Sequence, residues 1–241
     1  MRYHVDAETA SGPGEWLSPG PGIAMRLFFG DPEGACVALL RFDPGAVMPM
    51  HIHAGDEHVL VLEGKAADDN GECVRGDYLF NPEGSARKVR SKEGCLLLVH
   101  RLGPLRFPAE GEIAGQGSEQ FRIRTGMKGP EVGNPAWRKL RPGVYFRTLY
   151  RGGPGDYQAA LLHYLPGAFI TRHEHVGREH IFILQGAQSD EHGSYGPGTY
   201  VHNPVGTSHD VRSDGGCLAY AHWHAPVRFA DAAASAEGAG T

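Results

Sequence analysis

The residues whose types and spacing point to chemistry are His173, His175, Glu179 and His209. They stand in the pattern Gly167-x5-His173-x-His175-x3-Glu179-x6-Gly186, followed by Gly198-x5-Pro204-x-Gly206-x2-His209. His173 and His175 are two apart, so on a strand both side chains leave from one face. Glu179 can return to the same space across the following turn, and His209 can supply a fourth ligand one hairpin later. Pro204 and Gly206 shape the turn that delivers it. Three imidazoles and one carboxylate suit Fe(II), Mn, Ni, Co or Zn, and leave coordination positions open for substrate or oxygen.

These residues must be positioned by short strands, and the chain shows how through an internal repeat. Sliding the sequence on itself by 122 residues lays His51 on His173, His53 on His175, Glu57-His58 on Glu179-His180 and Gly64 on Gly186. The match continues with Gly76 on Gly198, Tyr78 on Tyr200, Asn81-Pro82 on Asn203-Pro204, Gly94-Cys95 on Gly216-Cys217 and His100 on His222. A repeat of this length makes each half one supersecondary unit. Segments such as Cys36 to Phe42 and Cys217 to Trp223 read as strands, separated by turn signals such as Asp43-Pro44-Gly45 and Gly196-Pro197-Gly198. Many short strands and almost no helical periodicity predict an all-β chain of two tandem barrels or jelly rolls.

The expected organisation is a segment 1–15, a first barrel 16–102, a linker 103–136, a second barrel 137–226 and a disordered tail 227–241. Phe121 to Arg124, inside the linker, can add an edge strand. The composition agrees: 35 Gly and 17 Pro against 41% hydrophobic residues is turn-rich. A formal net charge of −5, with no clustered basic patch, argues against nucleic acid or an anionic membrane as partner. Cys36, Cys73, Cys95 and Cys217 show no CxxC spacing and read as buried small hydrophobes in a reducing compartment. With no apolar leader and no run of spanning length, a cytoplasmic protein acting on a small molecule is expected. Exposed barrel edges are compatible with a homodimer.

Both halves resemble cupins, whose motifs are Gly-x5-His-x-His-x3-4-Glu-x6-Gly and Gly-x5-Pro-x-Gly-x2-His-x3-Asn. The second half matches every position of both except the last, where Ser213 stands. The run Ser189 to Tyr195, then Gly198-Thr199-Tyr200 and Asn203 to His209, with Trp137, Arg138 and Pro142-Gly143-Val144 ahead of it, is similar to ChrR-type cupin domains. The resemblance implies a bicupin with a metal-binding jelly roll in each half. ChrR-type regulators carry an N-terminal helical domain that grips a sigma factor; Met1 to Gly14 shows no such pattern, so that partner is not expected. ChrR-like cupins include dioxygenases acting on aryl hydroxyketones. The resemblance therefore implies one divalent metal per chain, Fe(II) favoured over Zn, Ni, Mn or Co, and a dioxygenase-type oxidoreductase for a small diketone or hydroxyketone. The alternatives are a ChrR-like Zn sensor without catalysis, or a Zn-dependent isomerase or hydrolase.

The first half departs from the pattern. His51, His53 and Glu57 form a candidate second metal site, but the fourth position is Arg87. A guanidinium offers only donors and cannot ligate a metal. It can pair with Glu57 and quench the site, or hold an anionic group beside a weakened one. The first barrel is therefore expected to be structural or weakly metallated.

Further candidates follow from alternation. Leu218, Tyr220, His222 and His224 share one face of the last strand. If that face points inward, Tyr220, His222 and His224 line the pocket and His222, with Glu179, moves protons; if outward, they are solvated or at an interface. His58 and His180 should point away from the metal and pack. His192 and His202 are expected to be exposed, Arg172 and Arg178 to be loop residues able to steer an anion, and Trp16 and Trp137 to anchor one end of each barrel.

Overall fold

The computed structural model describes residues 3–6, 15–109, 120–130, 134–152 and 157–229. The expected disordered tail lies outside them, except for 227–229. Every regular element among the described residues is a strand, and no helix is long and apolar enough to cross a membrane. The chain divides into two compact units. One spans Pro13–Met127, and the other combines Met1–Gly12 with Lys128–Thr241.

The second unit is a jelly roll of two sheets. Its larger sheet runs in the order Tyr3–Asp6, Thr199–Asn203, Glu179–Gly186, Cys217–Trp223, Gln158–Tyr164, Val144–Arg151, Arg138–Arg141. The smaller runs Gly193–Tyr195, Gln188–Asp190, Ser208–Ser213, Ala168–Glu174, Arg228–Phe229. Alternation sends one face of each strand into a core that holds Val144, Ile170, Ile181, Ile183, Val201, Val211, Ala219 and Ala221. The corner after Glu179–Gly186 requires glycine: Gly186 has φ 67, and a Cβ there would overlap the Gly216 carbonyl oxygen.

The first unit repeats this plan with the strands joined as one curled sheet. The 12-residue strand Glu57–Asp68 runs through the corner, where its counterpart breaks into Glu179–Gly186 and Gln188–Asp190. Its core holds Ile23, Met25, Leu40, Phe42, Val59, Val61, Leu97 and Val99.

The structure alters three sequence-based expectations. The segment before residue 16 contributes Tyr3–Asp6, antiparallel to Thr199–Asn203 at the far end of the chain. The stretch between the barrels supplies the edge strand expected at Phe121–Arg124, paired with Asp77–Asn81, but also Leu105–Arg106, paired with Val47–His53, so parts of the expected linker complete the first unit. Trp137 is buried, but Trp16 is 37% exposed and carries the Arg41 guanidinium 4.8 Å over its ring. A half-exposed ring just ahead of an edge strand, covered by a cation, is a surface contact and not a core anchor.

Candidate metal centre

His173 ends an inward-facing row on Ala168–Glu174, and His209 lies directly opposite it on Ser208–Ser213. Ile170 and His173 both face the core although they are three apart. Strict alternation would send one of them outward. The register shift between Ile170 and His173 resets the parity and turns His173 and His175 inward together. The first unit shows the same shift between Met48 and His51. Glu179 opens a strand of the opposite sheet, so the site bridges the two sheets.

Potential ligand atoms of His173, His175 and His209 lie within 4.8 Å of one another, and all three residues are buried. Each ring is oriented through Nδ1. That of His173 meets the Thr171 carbonyl at 3.1 Å, and that of His175 meets the Thr207 carbonyl at 3.1 Å and its hydroxyl at 3.2 Å. That of His209 meets the Asp190 carboxylate at 2.8 Å. A carbonyl or carboxylate only accepts, so each Nδ1 carries the proton and each Nε2 keeps the lone pair that binds metal. Glu179 Oε2 lies 3.0 Å from His175 Nε2 and accepts from Asn203 Nδ2 at 2.8 Å. Burial opposes its charge, but His175, His209 and Asn203 outweigh burial and hold the carboxyl down to about 2. This donor set fits a divalent transition metal.

Asp190, Asn203 and Thr207 are the residues whose roles spacing alone missed. Their signal lay in the repeat: Asp68, Asn81 and Ser85 stand 122 positions earlier. Outer partners of this kind set ring orientation and ligand basicity.

A cavity of about 300 Å³ reaches the centre. His173, Glu179, Asn203 and His209 form its polar part, with walls of Phe146, Leu162, Ile170, Ile181, Val211, Trp223 and Phe229. Gln158 and Gln188 also line it.

The last strand corrects the expectation for His222. Cys217, Ala219 and Ala221 belong to the core cluster, Trp223 packs against it, and Trp223 lines the cavity. Tyr220, His222 and His224 therefore leave from the opposite face. There His222 stacks with Tyr157 at 5.3 Å, and His224 meets Tyr157 edge-on at 4.2 Å. Neither a pocket role nor proton transfer fits them. His180 shares that face, with Nδ1 2.7 Å from the Tyr200 hydroxyl, and stacks on His202 at 4.9 Å. His202 is thus buried, not exposed as expected, because its strand sits inside the sheet and not beside a loop. His192 is exposed, and Arg172 is a surface residue paired with Glu191 at 3.2 Å.

In the first unit His51, His53 and Glu57 converge in the same way. His51 Nδ1 meets the Pro49 carbonyl at 2.8 Å, and His53 Nδ1 meets the Ser85 carbonyl at 3.0 Å and hydroxyl at 3.1 Å. Glu57 Oε2 lies 3.0 Å from His53 Nε2 and accepts from Asn81 Nδ2 at 3.0 Å and from Arg87 Nη2 at 3.2 Å. Burial opposes this charge too, but His53 and Arg87 hold the carboxyl far below its ordinary range. Burial and Arg87 push His51 down to about 4, so its ring is neutral. Of the two readings left open for Arg87, the structure contains the pairing with Glu57.

Comparison with known proteins agrees with this architecture. A structure of a dioxygenase candidate from Nostoc punctiforme aligns with a TM-score of 0.74 at 17% identity, covering 92% of this chain and 82% of that one. A mutant of Bacillus subtilis oxalate decarboxylase aligns at 0.62 with 15% identity, covering 95% and 79%. Another structure of that enzyme, described through its Mn(II) centres, aligns at 0.61 with 15% identity, covering 95% of this chain and 79% of that one. At such identities the likeness is one of fold. The DNA damage-repair/toleration protein DRT102 of Arabidopsis thaliana is 33% identical over 79 residues, which is 30% of this chain and 24% of that protein. The ChrR Cupin-like domain profile matches twice, over residues 6–106 and 129–227, and the chain belongs to that family as a bicupin.

Proposed function

We propose that the second barrel is the catalytic centre of a metal-dependent enzyme, a non-haem Fe(II) dioxygenase-type oxidoreductase acting on a small diketone or hydroxyketone. The observation that carries this reading is the apolar-walled cavity of about 300 Å³ opening onto His173, Glu179 and His209. A structural metal site is closed by its ligands, whereas a catalytic one keeps a side facing a lined space.

His173, His175, Glu179 and His209 would hold the metal. When bound, it would supply Lewis acidity toward a chelating pair of oxygens and, as Fe(II), one-electron chemistry with dioxygen. Phe146, Leu162, Ile181, Val211 and Trp223 exclude water and select a compact, largely apolar substrate. The Gln158 and Gln188 amides on the wall can hydrogen-bond a ketone or hydroxyl oxygen. Asn203 donates to Glu179 Oε2, the oxygen that also faces His175, so Oε1 is the oxygen available to a ligand or to a proton released as the substrate enolises.

The test is elemental analysis of untagged wild type and His209→Ala, followed by oxygen uptake with small enolisable diketones and hydroxyketones. The expected result is about one Fe per wild-type chain, none in the variant, and oxygen uptake that follows the metal. Tightly held Zn without oxygen uptake or turnover would overturn the dioxygenase reading in favour of a sensor or a Lewis-acid enzyme.

A further inference from the structure

We propose that Arg87 takes the place of the metal in the first barrel, and that the single substitution Arg87→His turns that barrel into a second metal centre. The inference rests on the second barrel being the metallated one. Its strength lies in how completely the first barrel keeps the remaining parts of the site.

The hydrogen bonds that orient His173, His175 and Glu179 in the second barrel have their counterparts 122 residues earlier. The carbonyl at Thr171 corresponds to that at Pro49, and the carbonyl and hydroxyl at Thr207 to those at Ser85. The Asn203–Glu179 bond of 2.8 Å corresponds to the Asn81–Glu57 bond of 3.0 Å. The strand pairing agrees as well: His173 lies opposite His209, and His51 lies opposite Arg87. Even the supporting carboxylate is kept. Asp190 accepts from His209, and Asp68 Oδ2 lies 3.9 Å from Arg87 Nη1. What differs is the chemistry of one side chain.

That difference decides the occupant. The Arg87 side chain is 7% exposed and its guanidinium lies between the buried Glu57 and Asp68 carboxylates, with Arg122 also paired to Asp68. Two carboxylates and two guanidiniums leave this cluster neutral. The Glu57 oxygen that faces His53 is already bonded to a fixed cation that cannot be deprotonated. A divalent ion bound here would add two positive charges to a low-dielectric site, within a few ångströms of Arg87. It would also have to displace that bond and accept one ligand fewer. The first barrel thus keeps a cavity of about 970 Å³ lined by His51, Glu57 and the permanent guanidinium of Arg87, where the second barrel presents His173, Glu179 and His209. Histidine at 87 would remove the cation, supply the missing nitrogen opposite His51, and find Asp68 where Asp190 supports His209.

The experiment counts tightly bound metal on the full chain. Wild type, Arg87→His, His209→Ala and the double variant are stripped, reloaded with Zn(II) or Mn(II), desalted, and measured by elemental analysis and native mass spectrometry. The expected counts are one, two, none and one. Arg87→His that folds, by circular dichroism, yet gains no metal overturns the proposal. So does a metal retained in His209→Ala and lost on adding His51→Ala, a comparison that needs no change at Arg87 and stands even if Arg87→His misfolds. A wild type with no metal would refute the function proposed above, while a gain of one in Arg87→His would still support this inference.

Discussion

Replacing Asp190 by asparagine should harm the metal centre more than replacing it by alanine, the reverse of what size conservation suggests. The Asp190 side chain is 1% exposed. Its Oδ1 accepts from the His192 and Gly193 amides at 2.8 and 3.2 Å and from the Tyr195 hydroxyl at 2.8 Å, while Oδ2 accepts from His209 Nδ1 at 2.8 Å. An asparagine would keep its one oxygen where the three donors converge and so turn its NH2 toward His209. Two donors then face each other, and His209 relieves the clash by moving its proton to Nε2, the atom needed for the metal. Losing an outer-shell partner costs about 10- to 100-fold in metal affinity, or about 1.4 to 2.7 kcal/mol. Asp190→Asn should lie at the upper end. Asp190→Ala leaves the tautomer free and should lie near the lower end, although it also leaves buried donors unsatisfied, at about 1–3 kcal/mol of fold stability. Competition with a chelating dye for Zn(II), on apo protein shown to be folded, measures both. Asparagine binding as tightly as wild type, or alanine binding more weakly than asparagine, would refute the tautomer argument.

Two further outcomes follow from the packing. His202 is pushed down to about 4 by burial and then by Arg178, and burial lowers His58 and His180 to about 3. Because these rings stay neutral in the fold but take up protons near pH 6.5 when unfolded, the fold loses stability as pH falls from about 6.5 toward 4, by at most roughly 3 kcal/mol per ring. Melting temperatures of the apo protein at pH 7, 6 and 5 should therefore decline, and a flat profile would show that the rings accept protons in place. Ile183→Ala, at a fully buried position of the second core, should cost about 2–5 kcal/mol by chemical denaturation while leaving the metal count of the folded protein unchanged. A lost metal at full stability would tie this core to the site in a way the geometry does not contain.

The sequence by itself determined a great deal here, because the repeat is a property of the chain and not of its folding. Matching turns at Gly64 and Gly186, and matching His-x-His pairs, already specify two copies of one strand plan. Ligand spacing belongs to the same class of information, since a tight turn and a strand of period two leave few places for Glu179 and His209. Some features were decided only by tertiary structure, for a common reason. Period-two alternation tells which residues share a face, but not which face meets the core. Tyr220, His222 and His224 were grouped correctly, yet the core lies on the side of Ala219, Ala221 and Trp223. The bulge before His173 breaks the alternation itself, and nothing in Thr171-Arg172 announces it. Long-range pairings were equally hidden. Tyr3–Asp6 finds Thr199–Asn203 nearly two hundred residues away, and Asp190 acquires its meaning from His209, nineteen positions on. The role of Arg87 lay between the two: its charge and lack of lone pairs were legible in the sequence, but its grip on both Glu57 and Asp68 depends on its strand meeting the long strand that carries both carboxylates, and that meeting decides what the first barrel can hold.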